Sequence, residues 1–316
     1  MQIKKIVVFH NLAGVGSAWC FAEGVVSVLQ SMGYEVADAK RGGRPRFPVR
    51  KLLEADLILI CGPEWLWYRL GKRYGSLWRK IPTLKVAWFV ESLSRDDRVF
   101  DFQDLKSFAD LHYFPAIQDA EDCGGTYLPF GVDTSIFRSR PTEPKYDSAF
   151  MGSLYPKREQ YLSRVGFPLQ RMQSVSSPDT RKSFELLAEA YRSTKIFVNL
   201  PALSRLLVGK VFEVMASGTF LLTPRLDHPS ALANMSLFES GKHLVYYDPE
   251  KPEEIGRLVK YYLDHPEERR AIAQAGHDEV HKHHTLRLRL QKILDDASRV
   301  EARPKPSWWK LRFAKS

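Results

Sequence analysis

Lys210 and Glu213 stand three residues apart in the stretch Gly209-Lys210-Val211-Phe212-Glu213-Val214-Met215-Ala216-Ser217-Gly218, which has helical composition. That spacing puts an ammonium and a carboxylate on one face of a helix's first turn. Such a pair suits a nucleoside diphosphate. The carboxylate can accept both ribose hydroxyls, and the ammonium can neutralise the phosphates. Backbone N–H groups at the helix start, after Gly209, add to an anion site. Gly218 is placed to end the helix just before an apolar strand. The same residues also read as an ordinary buried helix with a capping lysine, and spacing alone leaves both readings open.

Other candidates lie near strand ends. Gly14 and Gly16, in Ala13-Gly14-Val15-Gly16 after the first apolar run, form either a phosphate-facing loop or a plain strand-to-helix turn. His10 and Asn11, just past the same run, can touch a substrate, although a single histidine there is more often structural. Glu91 follows Val86-Ala87-Trp88-Phe89-Val90, at the carboxyl end of an expected strand where doubly wound sheets place ligands. It can orient or deprotonate a hydroxyl, or cap the next turn with Ser92. His277, His281, His283 and His284 resemble metal ligands in text but read as a solvated face of a late amphipathic helix. No Asp-x-Asp motif is present to chelate a divalent metal, so no metal is expected and no cofactor is called for. Cys20, Cys61 and Cys123 are scattered without metal or redox spacing, which implies a reducing, cytoplasmic setting.

The elements that must position these groups form an α/β alternation. Continuous apolar runs at residues 6–9, 57–61, 86–90, 111–114 and 127–128 suit parallel strands covered on both faces, with a helix over 16–32. At 137–145, Arg138-Ser139-Arg140-Pro141-Thr142-Glu143-Pro144 has no periodicity and two prolines, and reads as an interdomain linker. Strands are then expected at 148–151, 196–200, 219–223 and 244–246, and helices at 180–193, 252–263 and 266–282. The last helix starts at Pro266-Glu267-Glu268, a proline in the first turn with carboxylates at the positive end of the dipole. The organisation expected is a doubly wound domain over 1–140, a second over 145–290, and a tail over 291–316 packing back on the first. A ligand cleft between the two domains follows from this arrangement. No apolar run approaches the ~18 residues that span a bilayer, and the start reads as a strand, not a signal peptide.

Charge is local. The net +10 places +8 on residues 36–85 and +5 on 297–316, leaving −3 for 86–296. Within the first block, Arg41-Gly-Gly-Arg44-Pro-Arg46 is followed by Trp65-Leu-Trp67-Tyr68-Arg69, Lys72-Arg73-Tyr74 and Trp78-Arg79-Lys80. Basic residues interleaved with aromatics suit nucleic acid, through phosphate neutralisation and stacking. They suit an anionic membrane interface equally well. Some of these aromatics are also expected in the core between helices.

From Lys210 to about Leu294 the text resembles the donor domain of GT-B glycosyltransferases, in the family-4-like, spore-maturation (CgeB-like) branch. The resemblance is carried by Lys210-Val-Phe-Glu-Val-Met-Ala-Ser-Gly-Thr-Phe-Leu-Leu-Thr223, Leu237-Phe-Glu-Ser-Gly-Lys242 and Tyr261-Tyr-Leu-Asp-His-Pro-Glu-Glu-Arg269. Leu128-Pro-Phe-Gly-Val-Asp133 and Tyr146-Asp-Ser-Ala-Phe-Met-Gly-Ser153 follow in the family's order. The resemblance implies two Rossmann-like α/β domains facing across a cleft, the first holding acceptor and the second a nucleotide-sugar. It implies that Glu213 binds ribose, with Ser217 and Gly218 in the turn beside it. It also implies that Gly152 and Ser153 lie near the diphosphate with Arg158 as a phosphate ligand, and that Gly14 and Gly16 face that phosphate.

In many family-4 enzymes a second glutamate lies eight residues before the first, facing the sugar; here the position is Arg205. The implied chemistry is retaining and metal-independent, with Lys210, Arg158 and Glu91 as the catalytic candidates. His10, Asn11, Arg41, Arg44, Trp65 and Trp67 are candidates on the acceptor side. The acceptor expected is anionic: lipid-linked, an envelope polymer, or a modified DNA base, with peripheral membrane contact as one option. A non-catalytic glycan- or nucleotide-binding relative is the alternative from another class.

Overall fold

The computed structural model describes residues 2–10, 17–38, 49–66, 72–93, 102–172, 180–201, 206–228 and 231–301. The chain divides into two compact units, one of residues 1–129 with 286–316 and one of residues 130–285.

The first unit opens with β1 (Lys5–His10), α1 (Ser17–Ser31), β2 (Glu35–Asp38), α2 (Val49–Glu54) and β3 (Leu57–Cys61). It continues with α3 (Pro63–Leu66), α4 (Lys72–Lys80), β4 (Leu84–Trp88), α5 (Phe102–Lys106), β5 (Leu111–Phe114), α6 (Ile117–Cys123) and β6 (Thr126–Tyr127). The six strands form one parallel sheet in the order β2-β1-β3-β4-β5-β6. β3 and β4 are buried along their whole length; β3 is an unbroken apolar run, while β4 buries Lys85, whose ammonium donates to the Ile81 and Thr83 carbonyls. Each fully buried Leu, Ile or Val there contributes about 1.5–3 kcal/mol.

From β1 the chain passes to β2 on one side and then to β3 on the other. The direction of winding therefore reverses between β1 and β3, where His10 pairs in register with Cys61. Ligands of doubly wound sheets settle outside the carboxyl ends at such a switch point.

The second unit holds β7 (Tyr146–Met151), α7 (Pro156–Ser163), β8 (Gln170–Met172), α8 (Thr180–Arg192), β9 (Thr194–Val198) and α9 (Gly209–Ala216). β10 (Phe220–Pro224), α10 (Leu232–Met235), β11 (Val245–Tyr247), α11 (Pro252–Asp264) and α12 (Pro266–His283) follow. Its parallel sheet runs β11-β10-β9-β7-β8, with the reversal between β7 and β9. The core gathers Ile196, Val198, Phe220 and Leu222 from the sheet against Ile255, Val259 and Tyr262 of α11. Gly256 and Gly276 let these helices approach closely: a Cβ at either would run into a backbone carbonyl, that of Val165 or of His243.

The last helix, α13 (Leu286–Arg299), belongs to the first unit. Asp296 accepts from the Tyr113 hydroxyl at 2.8 Å, and Arg289 Nε donates to the Pro129 carbonyl at 2.9 Å. The tail beyond residue 301 lies outside the described residues.

Two edge strands have no counterpart in the sequence reading. β2 and β8 are short and polar, because a strand at a sheet's edge can be held by backbone pairing without an apolar face. The expected strand at 86–90 ends at Trp88 and begins at Leu84. The chain changes units at 129/130, earlier than the proline-rich 137–145. That stretch is fastened to the second unit: Phe137 packs on Tyr191 with ring centroids 6.2 Å apart, and the Arg138 carbonyl accepts from Arg192 at 3.2 Å. No helix among the described residues is long and apolar enough to cross a membrane.

Candidate functional site

In the second unit, α9 begins at the carboxyl edge of the sheet and runs back along it. Its N-cap, Val208, is extended (φ −70°, ψ 156°), and Lys210 and Glu213 follow on one face. The Lys210 ammonium donates to the carbonyl of Met151, the last residue of β7, at 2.8 Å. Burial lowers its pKa from the usual lysine value to about 8; Glu213 pulls it back up and Arg158 adds repulsion. Glu213 is only 5% exposed, and its Oε2 accepts from the buried Tyr191 hydroxyl at 3.0 Å.

Arg158, in the first turn of α7, sits beside them. One terminal nitrogen donates to the Ser153 carbonyl at 2.9 Å, and the other to the Pro201 carbonyl at 3.1 Å. The guanidinium therefore ties the loop after β7 to the loop after β9, across the switch point. It lies over the Tyr155 ring, 4.7 Å from the centroid. Gly152 leaves the room: a Cβ there would come within 2.6 Å of Arg158 Nη1. Two cations and a buried carboxylate thus converge where β7 and β9 end, and such a set can hold a polyol and a phosphate together.

The structure brings Lys210, Glu213, Arg158, Gly152 and Ser153 to one edge. Ser217 and Gly218 are not there. They sit past the far end of α9, where Ser217 Oγ donates to the Glu213 carbonyl at 2.8 Å and Gly218 takes a positive φ of 76°. A helix antiparallel to its strands carries its two ends to opposite edges of the sheet, about 1.5 Å per residue apart.

In the first unit, His10 ends β1 at the switch point, and Trp65 lies in α3 just after β3; the side chains of both lie outside the description. Glu91 stands three residues beyond the end of β4, half-buried, on the carboxyl side of the sheet. Asn11, Gly14, Gly16, Arg41, Arg44, Trp67 and Arg205 lie outside the described residues. Trp78 belongs to the core: it stacks on Phe108 at 4.9 Å and donates to the Phe108 carbonyl at 2.7 Å.

Of the late histidines, His283 is exposed as expected, but two others leave the solvated face. His281 bonds through Nε2 to the Ala216 carbonyl at 3.1 Å, and His284 is buried against Phe212 and Phe238. The apolar positions of α9 attract these rings, a packing that helical periodicity within one segment does not reveal. Among the described residues, no group of three or more His, Cys, Asp or Glu side chains is placed to hold a metal ion. Sequence reasoning missed Tyr191 and the carbonyls of Met151 and Pro201. A tyrosine inside an amphipathic helix reads as core, and backbone acceptors carry no signal in residue type.

Residues 170–295 match the model of a family described as glycosyl transferase-like. No curated protein matches the chain by sequence. Among solved structures, Anabaena HepE in complex with UDP-glucose superposes with a TM-score of 0.65 at 13% identity, covering 95% of this chain and 100% of that one. An alpha-glucosyltransferase in complex with UDP and a 13-mer DNA gives a TM-score of 0.67 at 11% identity, over 93% and 100% of the two chains. A sucrose-phosphate synthase from Thermosynechococcus elongatus gives 0.59 at 13% identity, over 93% and 98%. The chain therefore has the GT-B fold of two Rossmann-like units, and the stretch similar to the glycosyl transferase-like family covers most of the second unit and the start of α13.

Proposed function

We propose that this chain is a glycosyltransferase that takes its sugar from a nucleoside-diphosphate donor held on the second unit. The observation that carries the reading is the meeting of Lys210, Arg158 and Glu213 at the switch point between β7 and β9. Glu213 accepts the ribose hydroxyls in this reading. Lys210 and Arg158 neutralise the diphosphate and stabilise the charge it gains on leaving. Gly152 and Ser153 line the phosphate loop in this reading, and Arg205, Gly14 and Gly16 are further donor contacts proposed from the sequence alone. UDP is the nucleotide of choice for a first test, since several chains of the same fold are seen with it.

In the same proposal the transfer retains configuration and needs no metal or protein nucleophile. A donor phosphate oxygen takes the acceptor's proton as the new bond forms, while Glu91 orients the acceptor. The family-4-like, spore-maturation branch and a cytoplasmic setting belong to the proposal too. The buried Cys61 and the half-buried Cys123, both free thiols, suit that setting.

The acceptor proposed is anionic or membrane-associated, a glycolipid or envelope-polymer precursor, because the +8 block of residues 36–85 falls in the first unit. A modified DNA base is the second reading, favoured by the likeness to a glucosyltransferase seen with DNA. Binding of duplex DNA that weakens steeply with salt selects the second reading, and no DNA binding at low salt removes it.

The donor assignment is tested by calorimetric titration of UDP into Glu213→Ala. Losing a charge-assisted hydrogen bond costs about 1.5–3 kcal/mol, roughly 10- to 150-fold in affinity. Unchanged affinity in a folded variant refutes the role of Glu213.

A further inference from the structure

At the opposite edge of the second sheet, where β9 and β10 begin, lies a cavity of about 300 Å³. Arg140, Arg192, Lys195, Arg269 and Arg270 all line it, and no carboxylate does. Two of the five cations are matched. Lys195 pairs with Asp147 at 2.6 Å, and Arg270 pairs with Glu267. Among the described residues, Arg140, Arg192 and Arg269 have no carboxylate within ion-pair distance. Arg192 gives one terminal nitrogen to the Arg138 carbonyl at 3.2 Å, while its buried Nε has no partner. Arg269 is only 9% exposed and donates from Nη1 to the Tyr262 carbonyl at 2.6 Å.

Guanidinium groups gathered this way repel one another and lose hydration, and each costs free energy until an anion meets it. Burial lowers the proton affinity of both Arg192 and Arg269; Arg140 and Arg138 lower that of Arg192 further and Arg270 that of Arg269, while Glu189 and Asp147 offset part of this. The remaining walls are hydroxyl-bearing or apolar, from Thr194 and Thr219 to Phe220 and Ala273. Gly218 keeps the floor open. Its φ of 76° suits glycine, and a Cβ there would lie 3.1 Å from Ser139.

We infer that this cavity is a second ligand site, separate from the donor site, that takes a phosphate-bearing small molecule between Arg140, Arg192 and Arg269. Forked guanidinium donors match phosphate oxygens bidentately, and three such cations suit an anion of more than one charge. The volume is at the small end of ligand pockets, roughly 300–1,000 Å³, so it suits a phosphomonoester of sugar size and is too small for a nucleotide sugar.

The test titrates inorganic phosphate and glycerol 3-phosphate into the full-length protein under saturating UDP and constant ionic strength, with binding read by calorimetry. Saturable binding in the millimolar range or tighter is expected in the wild type. It persists in Lys210→Ala and falls at least tenfold in Arg140→Gln. Arg140 is exposed and its side chain makes no described hydrogen bond, so that variant keeps the fold. Arg192→Gln, checked for an unchanged melting temperature, should weaken binding by a similar factor. Absence of saturable phosphate binding in the wild type overturns the inference, and so does binding as tight as the wild type's in both arginine variants. A result that removes the donor role of Glu213 leaves this one standing, because UDP binding and phosphate binding are read separately.

Discussion

The hydroxyl of Tyr191, inside α8, donates to Oε2 of Glu213 at 3.0 Å, with both side chains buried. The phenol holds one carboxylate oxygen in place and lessens the cost of keeping a charge under cover. Tyr191→Phe removes that donor and keeps the ring packed on Phe197. We expect a loss of about 1–3 kcal/mol in unfolding free energy, measured by urea denaturation. UDP affinity should fall by less than in Glu213→Ala. Equal stability of the two proteins would show that the bond is worth nothing.

Lys210 gives the proposed donor site a pH dependence whose sign follows from its lowered pKa. Its pKa of about 8 lies below that of a free lysine, so the unfolded chain binds more protons between about 8 and the ordinary lysine value. The group therefore costs stability below about pH 8, and that cost fades as pH rises through the window. Bound diphosphate favours the charged form and raises the pKa. UDP affinity should thus be level below about pH 8 and decline above it. Lys210→Arg, which stays charged, should bind with little change across that range, as titrations at stepped pH would reveal. A decline of the same size in both proteins rules Lys210 out as the titrating group.

Two glycines separate site geometry from packing. In Gly152→Ala the new methyl displaces the tip of Arg158, a flexible side chain, and breaks its bridge between the Ser153 and Pro201 carbonyls. UDP affinity should drop severalfold with a small change in melting temperature. In Gly276→Ala the methyl meets the His243 carbonyl and the end of Met215, at 3.1 Å, inside a packed helix contact. That overpacking should cost about 1–3 kcal/mol of stability with UDP affinity preserved in the folded protein. Thermal melts and calorimetry on both variants check the contrast, and the reverse pattern contradicts it.

Much of this architecture is legible in residue order. Apolar runs mark the inner strands within one or two residues, because a strand covered on both faces buries mostly apolar side chains; the polar ones it holds, such as Lys85 and Thr223, are paired. Pro252 and Pro266 mark the starts of α11 and α12, since proline fits where a helix has no use for an N–H group. The spacing of Lys210 and Glu213 identifies the start of α9 as a place for charge, and Gly218 marks its end.

What the chain alone determines, then, is which segments are strands and helices and which few residues carry charge into them, because period and turn chemistry are local properties. The tertiary structure decides which of those residues meet. Arg158 reaches the carbonyl of Pro201, 43 positions away, and Lys210 that of Met151, 59 positions away. Tyr191 comes under Glu213, while Ser217, only four residues from Glu213, ends at the other edge of the sheet. The order of strands and the direction of each helix make those choices, and neither is written in the spacing of any single motif.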